Sequence, residues 1–511
     1  MSDTRVAVVV PCVVVHNLDP HTGIPFMPHM AAYFARSLKD AGCSVNVIDC
    51  FGADAENKRV SGQFMLIGLS EEEVVSRISN ETEAVFVYCR TVEDLYSTEL
   101  IVKELKRARP ELKVCLFENI QTVNSFSLKE ISTEFIEKGV DLTIFGEPES
   151  RTPAILKGLK DGDLSTVAGV AFKGKDDKVV FTEKAELDTE LDRISFPLWE
   201  EFDLEGYWSC GFAHAPIKKN VKFLPLLTSR GCPFRCTFCI SPTLNPVWRS
   251  RSGKDVADEM EYFYKKMGIT DFHVSDLDPT VKEKRTLELC DEIIKKNIPV
   301  VWKLAQGTKI ETIRKESTLD KMKEAGCVFI SFSPETGSKD LLKIMNKPFD
   351  HKHGLKMVKK MNDIGIRTQA CFIAGTPGET EVDRKLSISY VKKLVSSGVD
   401  EIAVTIFTPL PGAKLSDSIT GYSHYSELTH SPTWRDDYST VNWFRLRMYL
   451  TFFFFKAFRP KKVIRELIGF ASKNFETKME MSFYKIYKIR MMYFKYLIGR
   501  IFSKSEKEVR S

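Results

Sequence analysis

The chain has 511 residues, of which 43% are hydrophobic and 28% charged, and its formal net charge is +5. A chain of this length is too long for a single hydrophobic core, so we expect two or three domains. The composition is ordinary for a globular protein, and so small a net charge by itself implies no partner.

The first predicted strand begins within a few residues of Met1, so we expect no signal peptide. The longest apolar stretches, near residues 6–15 and 449–455, are too short to span a bilayer. Twelve cysteines without the spacing of a secreted framework favour a reducing compartment, and we expect a cytoplasmic protein.

Residues 5–160 alternate short apolar runs with helical stretches. The predicted strands are residues 6–10, 44–49, 84–89, 113–117 and 142–145. Near-continuous apolar strands separated by helices indicate a parallel sheet covered on both faces, with ligands bound beyond the carboxyl ends of the strands. No G-x-G-x-x-G follows the first strand, so a dinucleotide site is not supported.

This region contains three short motifs in a defined order. They are Gly23-Ile24-Pro25 before the first helix, a Gly42 to Asp49 segment, and the turn Gly146-Glu147-Pro148-Glu149. The pattern resembles the cobalamin-binding domain found ahead of many radical S-adenosylmethionine (SAM) cores. The resemblance implies a Rossmann-like, doubly wound domain over residues 1–165, with Gly23, Gly146 and Glu147 near the cobalamin.

Asp19-Pro20-His21-Thr22-Gly23 is close to the D-x-H-x-x-G motif by which some methyltransferases ligate cobalt from below, but its glycine comes one residue too early. His21 is therefore either a lower ligand, since neutral imidazole suits such metals, or a surface histidine. We favour the second interpretation, in which the cobalamin has no protein ligand.

Residues 166–220 read as a linker. It starts with a predicted hairpin at residues 166–172 and 179–181, and continues with a segment containing Trp199 and Tyr207 that resembles the bridge between cobalamin and SAM domains. We expect these two aromatic side chains to pack between the domains.

The most specific motif is Cys232-Pro233-Phe234-Arg235-Cys236-Thr237-Phe238-Cys239, which follows an apolar strand and Gly231. Thiolates at such spacing in an intracellular chain hold metal more often than they form disulfides. A zinc loop completed by a distant Cys or His is the alternative. The C-x3-C-x-aromatic-C pattern resembles the radical SAM superfamily, in which the three cysteines hold a [4Fe-4S] cluster and SAM chelates the fourth iron.

After this loop, helices alternate with five further predicted strands, at residues 271–276, 300–304, 327–332, 367–373 and 401–406. Six parallel strands are too few for an eight-stranded barrel. We therefore expect a six-stranded partial (β/α)6 barrel of the TIM type over residues 221–415, with its active face at the carboxyl ends of the strands.

Polar residues follow those strands as a SAM site would need. By the family resemblance, SAM contacts are implied for Phe238 in the cysteine loop, for Ser275, Asp276 and Asp278, for Glu335 in an E-T-G-S segment, and for Gly375 in a G-T-P-G-E-T turn. An ammonium group prefers carboxylates and carbonyls nearby, and glycine allows close approach of the backbone. No residue is assigned to the catalytic step itself.

Residues 416–511 read as a basic, aromatic and helical C-terminal region. Within it, residues 441–511 carry 17 Lys or Arg against five Glu. A helical cap with solvated lysines is the main interpretation. Contact with a membrane surface and polyanion binding are the alternatives.

The resemblance implies a cobalamin-dependent radical SAM enzyme. A 5′-deoxyadenosyl radical would abstract hydrogen from a small natural-product or lipid-like substrate, and a methyl group from cobalamin would then be added to carbon. The alternatives are a ring-forming, oxidising or rearranging enzyme with the same cofactors, a methylthiotransferase, or a non-catalytic iron–sulfur or cobalamin protein. We expect a reductant such as flavodoxin or ferredoxin as a partner, and no nucleic acid.

Overall fold

The fold consists of two mainly parallel sheets, one in each half of the chain, followed by C-terminal helices. The computed structural model describes residues 4–16, 19, 22–122 and 125–488. His21, the alternative cobalt ligand, and residues 489–511 of the basic C-terminal region lie outside the described residues.

The strands of the first half are β1 (Arg5–Val10), β2 (Val13–His16), β3 (Ser44–Asp49), β4 (Lys58–Ser61), β5 (Phe64–Ile67), β6 (Ala84–Cys89), β7 (Lys113–Glu118), β8 (Leu142–Ile144), β9 (Val170–Lys173) and β10 (Val179–Phe181). Its helices are α1 (His29–Asp40), α2 (Cys50–Ala53), α3 (Glu71–Ser76), α4 (Leu95–Ala108), α5 (Leu128–Glu137), α6 (Thr152–Asp161) and α7 (Glu205–Ser209).

Seven of these strands form the first sheet, in the order β10-β9-β8-β7-β6-β1-β3. The five predicted strands are all present and run parallel to one another, in the 2-1-3-4-5 order known from flavodoxin-like folds. The predicted hairpin is β9–β10, but β9 pairs antiparallel with β8, so the hairpin extends the first sheet instead of lying in a separate linker. Strands β2, β5 and β4 form a small antiparallel sheet that was not predicted.

The strands of the second half are β11 (Phe223–Leu226), β12 (Ser229–Arg230), β13 (Arg249–Ser250), β14 (Asp271–Val274), β15 (Val301–Thr308), β16 (Cys327–Glu335), β17 (Arg367–Ala374) and β18 (Glu401–Ile406). Its helices are α8 (Ser241–Leu244), α9 (Gly253–Met267), α10 (Glu283–Lys296), α11 (Glu316–Glu324), α12 (Lys339–Ile344), α13 (His351–Ile364), α14 (Glu381–Ser397), α15 (Tyr438–Ala457) and α16 (Pro460–Ser472).

The second sheet has the order β11-β14-β15-β16-β17-β18, and every neighbouring pair is parallel. The prediction of six parallel strands in chain order is therefore confirmed. The two edge strands, β11 and β18, do not pair in the described part of the chain, so the sheet stays open. Buried apolar side chains of both sheets form one continuous core.

The linker is attached to the first sheet by a buried polar contact. Trp199 and Tyr207 are fully buried and contact the rings of Phe202 and Phe51, respectively, and their packing between the domains stays a prediction. The Tyr207 hydroxyl donates to the Asp49 carboxylate at the end of β3, with an Oη–Oδ2 distance of 2.9 Å, and the Gly52 N–H donates to the same carboxylate. Burial raises the pKa of Asp49 to about 6. The folded protein therefore favours the protonated carboxyl.

The C-terminal helices are held by a second buried carboxylate. Asp400, immediately before β18, accepts hydrogen bonds from Lys462 Nζ at 2.9 Å and from Arg465 Nη2 at 3.0 Å, both on α16. Residues 478–488 are also helical, and the backbone N–H of Lys478 donates to Glu401 at 3.0 Å. The predicted helical cap thus packs on the first residues of β18, but the prediction of solvated lysines is wrong for Lys456, Lys462 and Lys485, which are buried.

The raised pKa of Asp49 predicts a specific pH dependence of stability. Its contribution is fully present below the unfolded-state pKa near 3.8 and is lost as the pH rises through about 6. In Asp49→Asn this titration is absent. The difference in free energy of unfolding between Asp49→Asn and the wild type should therefore shift in favour of the variant, by on the order of 1–2 kcal/mol, when the pH is raised from 5 to 7.5. Urea denaturation at both pH values measures this. The exposed Asp176→Asn should show no such change, and a constant Asp49→Asn difference would contradict the assignment.

Candidate active site at the cysteine loop

The cysteine loop is closed by a short antiparallel ladder. Strands β12 and β13 pair across it, with Arg230 opposite Arg249. The Cys232 N–H donates to the Asn245 carbonyl at 3.0 Å. Gly231 has a φ of +79°, and a Cβ at this position would lie 2.2 Å from the carbonyl oxygen of Val247. Only glycine fits this turn, so the loop has a defined backbone path before the first cysteine.

The three cysteines of the loop are half-buried and form no disulfide. Burial raises the pKa of Cys232 to about 12 and that of Cys236 to about 11. Cys239 Sγ lies 3.4 Å from the backbone nitrogen of Ser241, which donates to it. Metal ligation requires thiolates, so binding of a metal to this loop would release protons.

The arrangement of donors bears on the choice between a cluster and a single ion. Within the described residues, no group of three Cys, His, Asp or Glu side chains could hold one metal ion. A zinc ion bound by these cysteines would need a fourth ligand, so a site completed by a distant Cys or His stays the alternative. In a cubane each cysteine binds a different iron, so the three sulfurs need not converge. The donor set of the loop therefore fits a [4Fe-4S] cluster with one iron free of protein ligands.

Glu335, at the end of β16, has an unusual backbone. Its φ is +61°, a left-handed conformation that costs a non-glycine residue on the order of 1–3 kcal/mol. Its carboxylate is buried and forms an ion pair with Lys347, whose Nζ also lies 5.8 Å from the centre of the Phe238 ring. The carboxylate lowers the cost of burying Lys347, and the pKa of Lys347 is raised. Strain held at this position is typical of functional sites.

The two aspartates after β14 have different surroundings. Asp276 accepts hydrogen bonds from the Thr228 N–H at 2.7 Å and from the Thr228 and Ser229 hydroxyls at 2.6 Å, so its carboxylate is occupied by the protein. Asp278 Oδ1 accepts from Thr280, but its buried Oδ2 has no partner. Burial raises the pKa of Asp278 to about 7. Of the two, only Asp278 keeps a free acceptor.

Ser275 and Gly375, two further residues predicted to contact SAM, have different surroundings. The backbone carbonyl of Ser275 accepts a hydrogen bond from Gln306 Nε2 at 2.8 Å. Gly375 packs against α15, where an added Cβ would lie 2.8 Å from Val441 Cγ1. Gly375 does not line the cavity next to the cysteine loop, whereas Phe238 and Glu335 do.

That cavity has a volume of about 250 Å³ and begins at Phe238 and Cys239. Its walls come from β15 to β18 and from the segment after β18. Apolar side chains line part of it, and the polar residues that line it are His214, Gln306, Ser331, Ser333, Glu335, Gln369, Thr405, Thr408, Thr429, His430 and Lys478. Most of these were not predicted as site residues. For three of them the sequence contains a signal, because the polar residues Gln306, Ser331 and Gln369 lie inside strands that are otherwise apolar.

The loop after β8 meets the cysteine loop in a buried cluster of charges, which we call the interdomain clamp: Glu147, Glu149, Arg230, Arg249 and Asn245. Arg249 donates to both oxygens of Glu147, and Arg230 Nη2 donates to Glu149 at 2.8 Å. Burial acts to raise the pKa of Glu147, but the two arginines hold it below its usual value. Arg249 thus occupies both carboxylate oxygens of Glu147. The predicted contact of Glu147 with cobalamin stays a prediction.

A group of unsatisfied polar atoms lies between the two sheets. The buried side chains there that have polar atoms without a hydrogen-bond partner in the protein are His29, Gln121, Thr122, His214 and Gln306. Several of them surround a space of about 30 Å³ that is also lined by Phe26, Asn119 and Ser275. Gln306 Nε2 bridges the two sides, donating to the Gln121 carbonyl at 3.0 Å and to that of Ser275. Native proteins rarely leave such atoms unpaired, so they mark a place for a polar ligand.

This location fits cobalamin in chemistry and in fold position, because Gln121 and Thr122 follow β7 at the carboxyl edge of the first sheet. A corrin is far larger than this space, so the space would account for only part of such a site. The other two predicted cobalamin residues lie in turns: Gly146 donates its N–H to Glu118 at 2.7 Å, and Gly23 precedes α1.

Comparison with known proteins agrees with the cysteine loop and the second sheet. The profile of the Radical SAM superfamily matches residues 226–391. The chain contains a radical SAM domain. The predicted recognition of this family is thereby confirmed, with Cys232, Cys236 and Cys239 at its start.

Two curated relatives extend the radical SAM similarity beyond this domain. The chain is 28% identical over 358 residues to the anaerobic magnesium-protoporphyrin IX monomethyl ester cyclase of Rubrivivax gelatinosus, covering 69% of the chain and 60% of the relative. It is 26% identical over 434 residues to the cytidylyl-2-hydroxyethylphosphonate methyltransferase of Streptomyces wedmorensis, covering 75% and 76%. The match thus spans less than two thirds of the cyclase.

Two solved structures share the overall fold. The radical SAM methyltransferase TsrM from Kitasatospora setae, with cobalamin and a [4Fe-4S] cluster bound, has a TM-score of 0.62 at 17% identity and covers 82% of this chain and 78% of its own. The cobalamin-dependent SAM radical enzyme OxsB has a TM-score of 0.60 at 16% identity and covers 88% and 56%. The predicted likeness to cobalamin-type radical SAM proteins is therefore confirmed for the fold.

The interdomain clamp predicts a large loss of stability for Arg249→Met. The substitution keeps the side-chain volume but leaves the buried Glu147 carboxylate short of its main partner, which should cost about 3–5 kcal/mol. Anaerobic denaturation with urea measures the loss. Lys254→Met, which breaks an exposed ion pair with Asp258, is the matched control and should cost under ~1 kcal/mol.

An equal effect of the two substitutions would contradict the structural role of the clamp. If Glu147 instead contacts cobalamin, Glu147→Gln should weaken cobalamin binding more than it lowers stability.

Proposed function

We propose that this protein is a cobalamin-dependent radical SAM enzyme that transfers a methyl group to carbon in a small natural-product or lipid-like substrate. The observation that carries the proposal is the three-cysteine loop, whose Phe238 and Cys239 open directly onto the cavity of about 250 Å³. The loop offers three sulfur ligands, and the cavity offers a partly apolar space beside them.

In this proposal Cys232, Cys236 and Cys239 hold a [4Fe-4S] cluster. SAM lies between the cluster and the ends of β14 to β17, near Ser275, Asp278, Phe238 and Glu335. Cobalamin lies between the two sheets, against the unsatisfied side chains at residues 119–122. When bound, the cluster and SAM supply a carbon-centred radical, and cobalamin supplies the methyl group.

The residues of the chain would bind, orient and shield these groups. Asp278 Oδ2, buried and without a partner, is suited to accept a hydrogen bond from an amino group. The ion pair of Glu335 with Lys347 keeps two buried, opposite charges together next to the cysteine loop. Apolar walls such as Phe372, Ile406 and Phe407 exclude water, which protects a reactive intermediate.

The proposed domain architecture follows the two sheets. The first is a Rossmann-like cobalamin domain, and we place its boundary after β10, since the hairpin pairs with β8. The second is a partial (β/α)6 barrel that extends to about residue 415. The segment from residue 416 onward is a helical cap. In this proposal Asp276 and Gly375 do not contact SAM but hold neighbouring parts of the structure in place. Asp276 accepts hydrogen bonds from the Thr228 and Ser229 hydroxyls, and Gly375 allows α15 to pack closely.

A second candidate is a cobalamin-dependent radical enzyme that cyclises or oxidises its substrate without methyl transfer. The similarity to the Rubrivivax cyclase favours it, at 28% identity over 69% of the chain. The similarity to the Streptomyces methyltransferase covers more of both chains and favours methyl transfer. The TsrM structure with its tryptophan substrate supports a small molecule as the substrate class.

We propose flavodoxin or ferredoxin as the reductant. Pro233 and Arg235 of the cysteine loop are exposed, and Lys309 lies over the Phe234 ring, so an acidic electron carrier could dock close to the cluster. We propose a cytoplasmic location, because twelve cysteines without the spacing of a secreted framework favour a reducing compartment.

The cysteine assignment predicts the result of single substitutions. Cys236→Ala should lower iron and acid-labile sulfide per chain at least tenfold after anaerobic reconstitution, because two thiolates cannot retain the cluster. Cys371→Ala is the matched control: Cys371 lines the same cavity but lies on β17, and its loss should leave the cluster intact. Full cluster content in Cys236→Ala, or a loss in Cys371→Ala, would overturn the assignment.

The proposed reaction predicts two separate products. With dithionite and SAM, the reconstituted enzyme should release 5′-deoxyadenosine, and Cys236→Ala should release none. With an extract from a strain that lacks the gene and accumulates the substrate, methyl-labelled SAM should transfer its label to a product detected by mass spectrometry. Substrate consumption without label in any product would support cyclisation or oxidation, and an intact cluster without 5′-deoxyadenosine would indicate a non-catalytic protein.

A further inference from the structure

Helix α15 is apolar on two opposite faces. One face packs on the barrel through Val441, Phe444, Met448 and Phe452, which are all buried. The opposite face carries Trp443, Leu446, Leu450, Phe454 and Phe458, which are 57%, 44%, 54%, 62% and 71% exposed. A helix that is apolar all round is normally buried on all sides. The outer face of α15 is therefore exposed, although its apolar composition is that of a buried helix face.

The neighbouring helices extend this surface. Ile464, Leu467 and Ile468 of α16 are each more than half exposed, and Phe483 and Tyr487 in the helical residues 478–488 are as well. Between these helices lies a groove of about 560 Å³ with mainly apolar walls. Twelve of the eighteen large apolar side chains exposed in the described part of the chain lie at residues 443–487. We call this surface the C-terminal apolar face. A contiguous surface of this kind usually marks a binding site.

The segment that forms the C-terminal apolar face is basic, although some of its Lys and Arg pair inside the fold, as Lys462 and Arg465 do with Asp400. Residues 441–511 contain 17 Lys or Arg and five Glu but no Asp, whereas the whole chain has a net charge of only +5. The acidic residues of this segment that the structure describes are used internally: Glu466 pairs with Lys456, Glu476 pairs with Arg367, and Glu480 accepts backbone N–H groups. Lys461 and Lys473 are exposed beside the apolar side chains. The face therefore combines an apolar surface with a basic border.

We propose that the C-terminal apolar face binds the surface of an anionic membrane, with the outer side chains of α15 and α16 immersed at the level of the headgroups. Apolar and aromatic side chains bordered by Lys and Arg are the features of helices that lie in a membrane interface. Within residues 4–488 as described, no helix is long and apolar enough to cross a membrane, so α15 and α16 would lie on the surface. The proposal does not depend on the enzymatic reaction.

Charge also argues against two other ways of covering this face, by a second copy of the chain and by residues 489–511. A symmetric dimer through this face would bring the basic border of one copy against that of the other. Residues 489–511 carry six Lys or Arg against two Glu, so they have the same sign of charge as the surface that they would have to cover. An anionic lipid surface is complementary both in charge and in polarity.

The test is sedimentation of the full-length protein with lipid vesicles. We expect binding to phosphatidylcholine vesicles that contain one quarter phosphatidylglycerol, much weaker binding to pure phosphatidylcholine, and a decrease as salt is raised. Phe454→Ser combined with Phe458→Ser should weaken binding about tenfold or more, because two exposed aromatic side chains no longer enter the interface. Phe181→Ser is the matched control: Phe181 is 41% exposed on β10, far along the chain from this face, and its loss should change nothing.

Three results would overturn the proposal. The first is the absence of binding to either kind of vesicle, which would leave residues 489–511 or another protein as the cover. The second is equal weakening by Phe181→Ser and by the double substitution. The third is a dimer without lipid that the double substitution dissociates, since a second copy would then cover the face.

Discussion

The interdomain clamp is the contact on which the rest of the arrangement depends. Glu147 and Glu149 come from the loop after β8, whereas Arg230 and Arg249 come from the two short strands that close the cysteine loop. Buried charges of this kind are tolerated only while they are paired, so the two sheets cannot separate here without a large cost. The same arginines therefore hold the cysteine loop closed and hold the first sheet against it, which fixes the distance between the two proposed cofactor positions.

The parts of the fold that depend on local patterns could be predicted from the sequence. Apolar runs bounded by turn residues located β3 and β6 at the residues that the structure assigns, and the six strands of the second sheet followed in order. The cysteine loop could be predicted for the same reason, because its chemistry lies within eight consecutive residues. For most of the parallel strands of the two sheets, which are buried on both faces, composition was a sufficient signal.

The long-range contacts could not be predicted. Glu147 was assigned to a cofactor because of its turn motif, but its partner Arg249 is 102 residues away and no local pattern connects them. Gln306 joins the loop after β7 to the end of β14, and a single glutamine in an apolar strand gives no indication of its contacts. Strand β4 was missed because its sequence, Lys-Arg-Val-Ser, is mostly polar and only half-buried. Strand β5 is apolar and buried but only four residues long, and it pairs with β2, about fifty residues earlier, as well as with β4. In each case the deciding interaction is tertiary.

The turn at Gly231 has a consequence for assembly of the metal centre. The ladder between β12 and β13, the Cys232–Asn245 hydrogen bond and the contact between the Gly231 position and Val247 are contacts of the polypeptide itself, and they order the backbone on both sides of the cysteines. In small zinc domains the metal itself must organise a disordered peptide. In this chain, contacts within the polypeptide carry part of the loss of conformational freedom on both sides of the cysteines, so less of the binding free energy of a cluster is needed to order the chain.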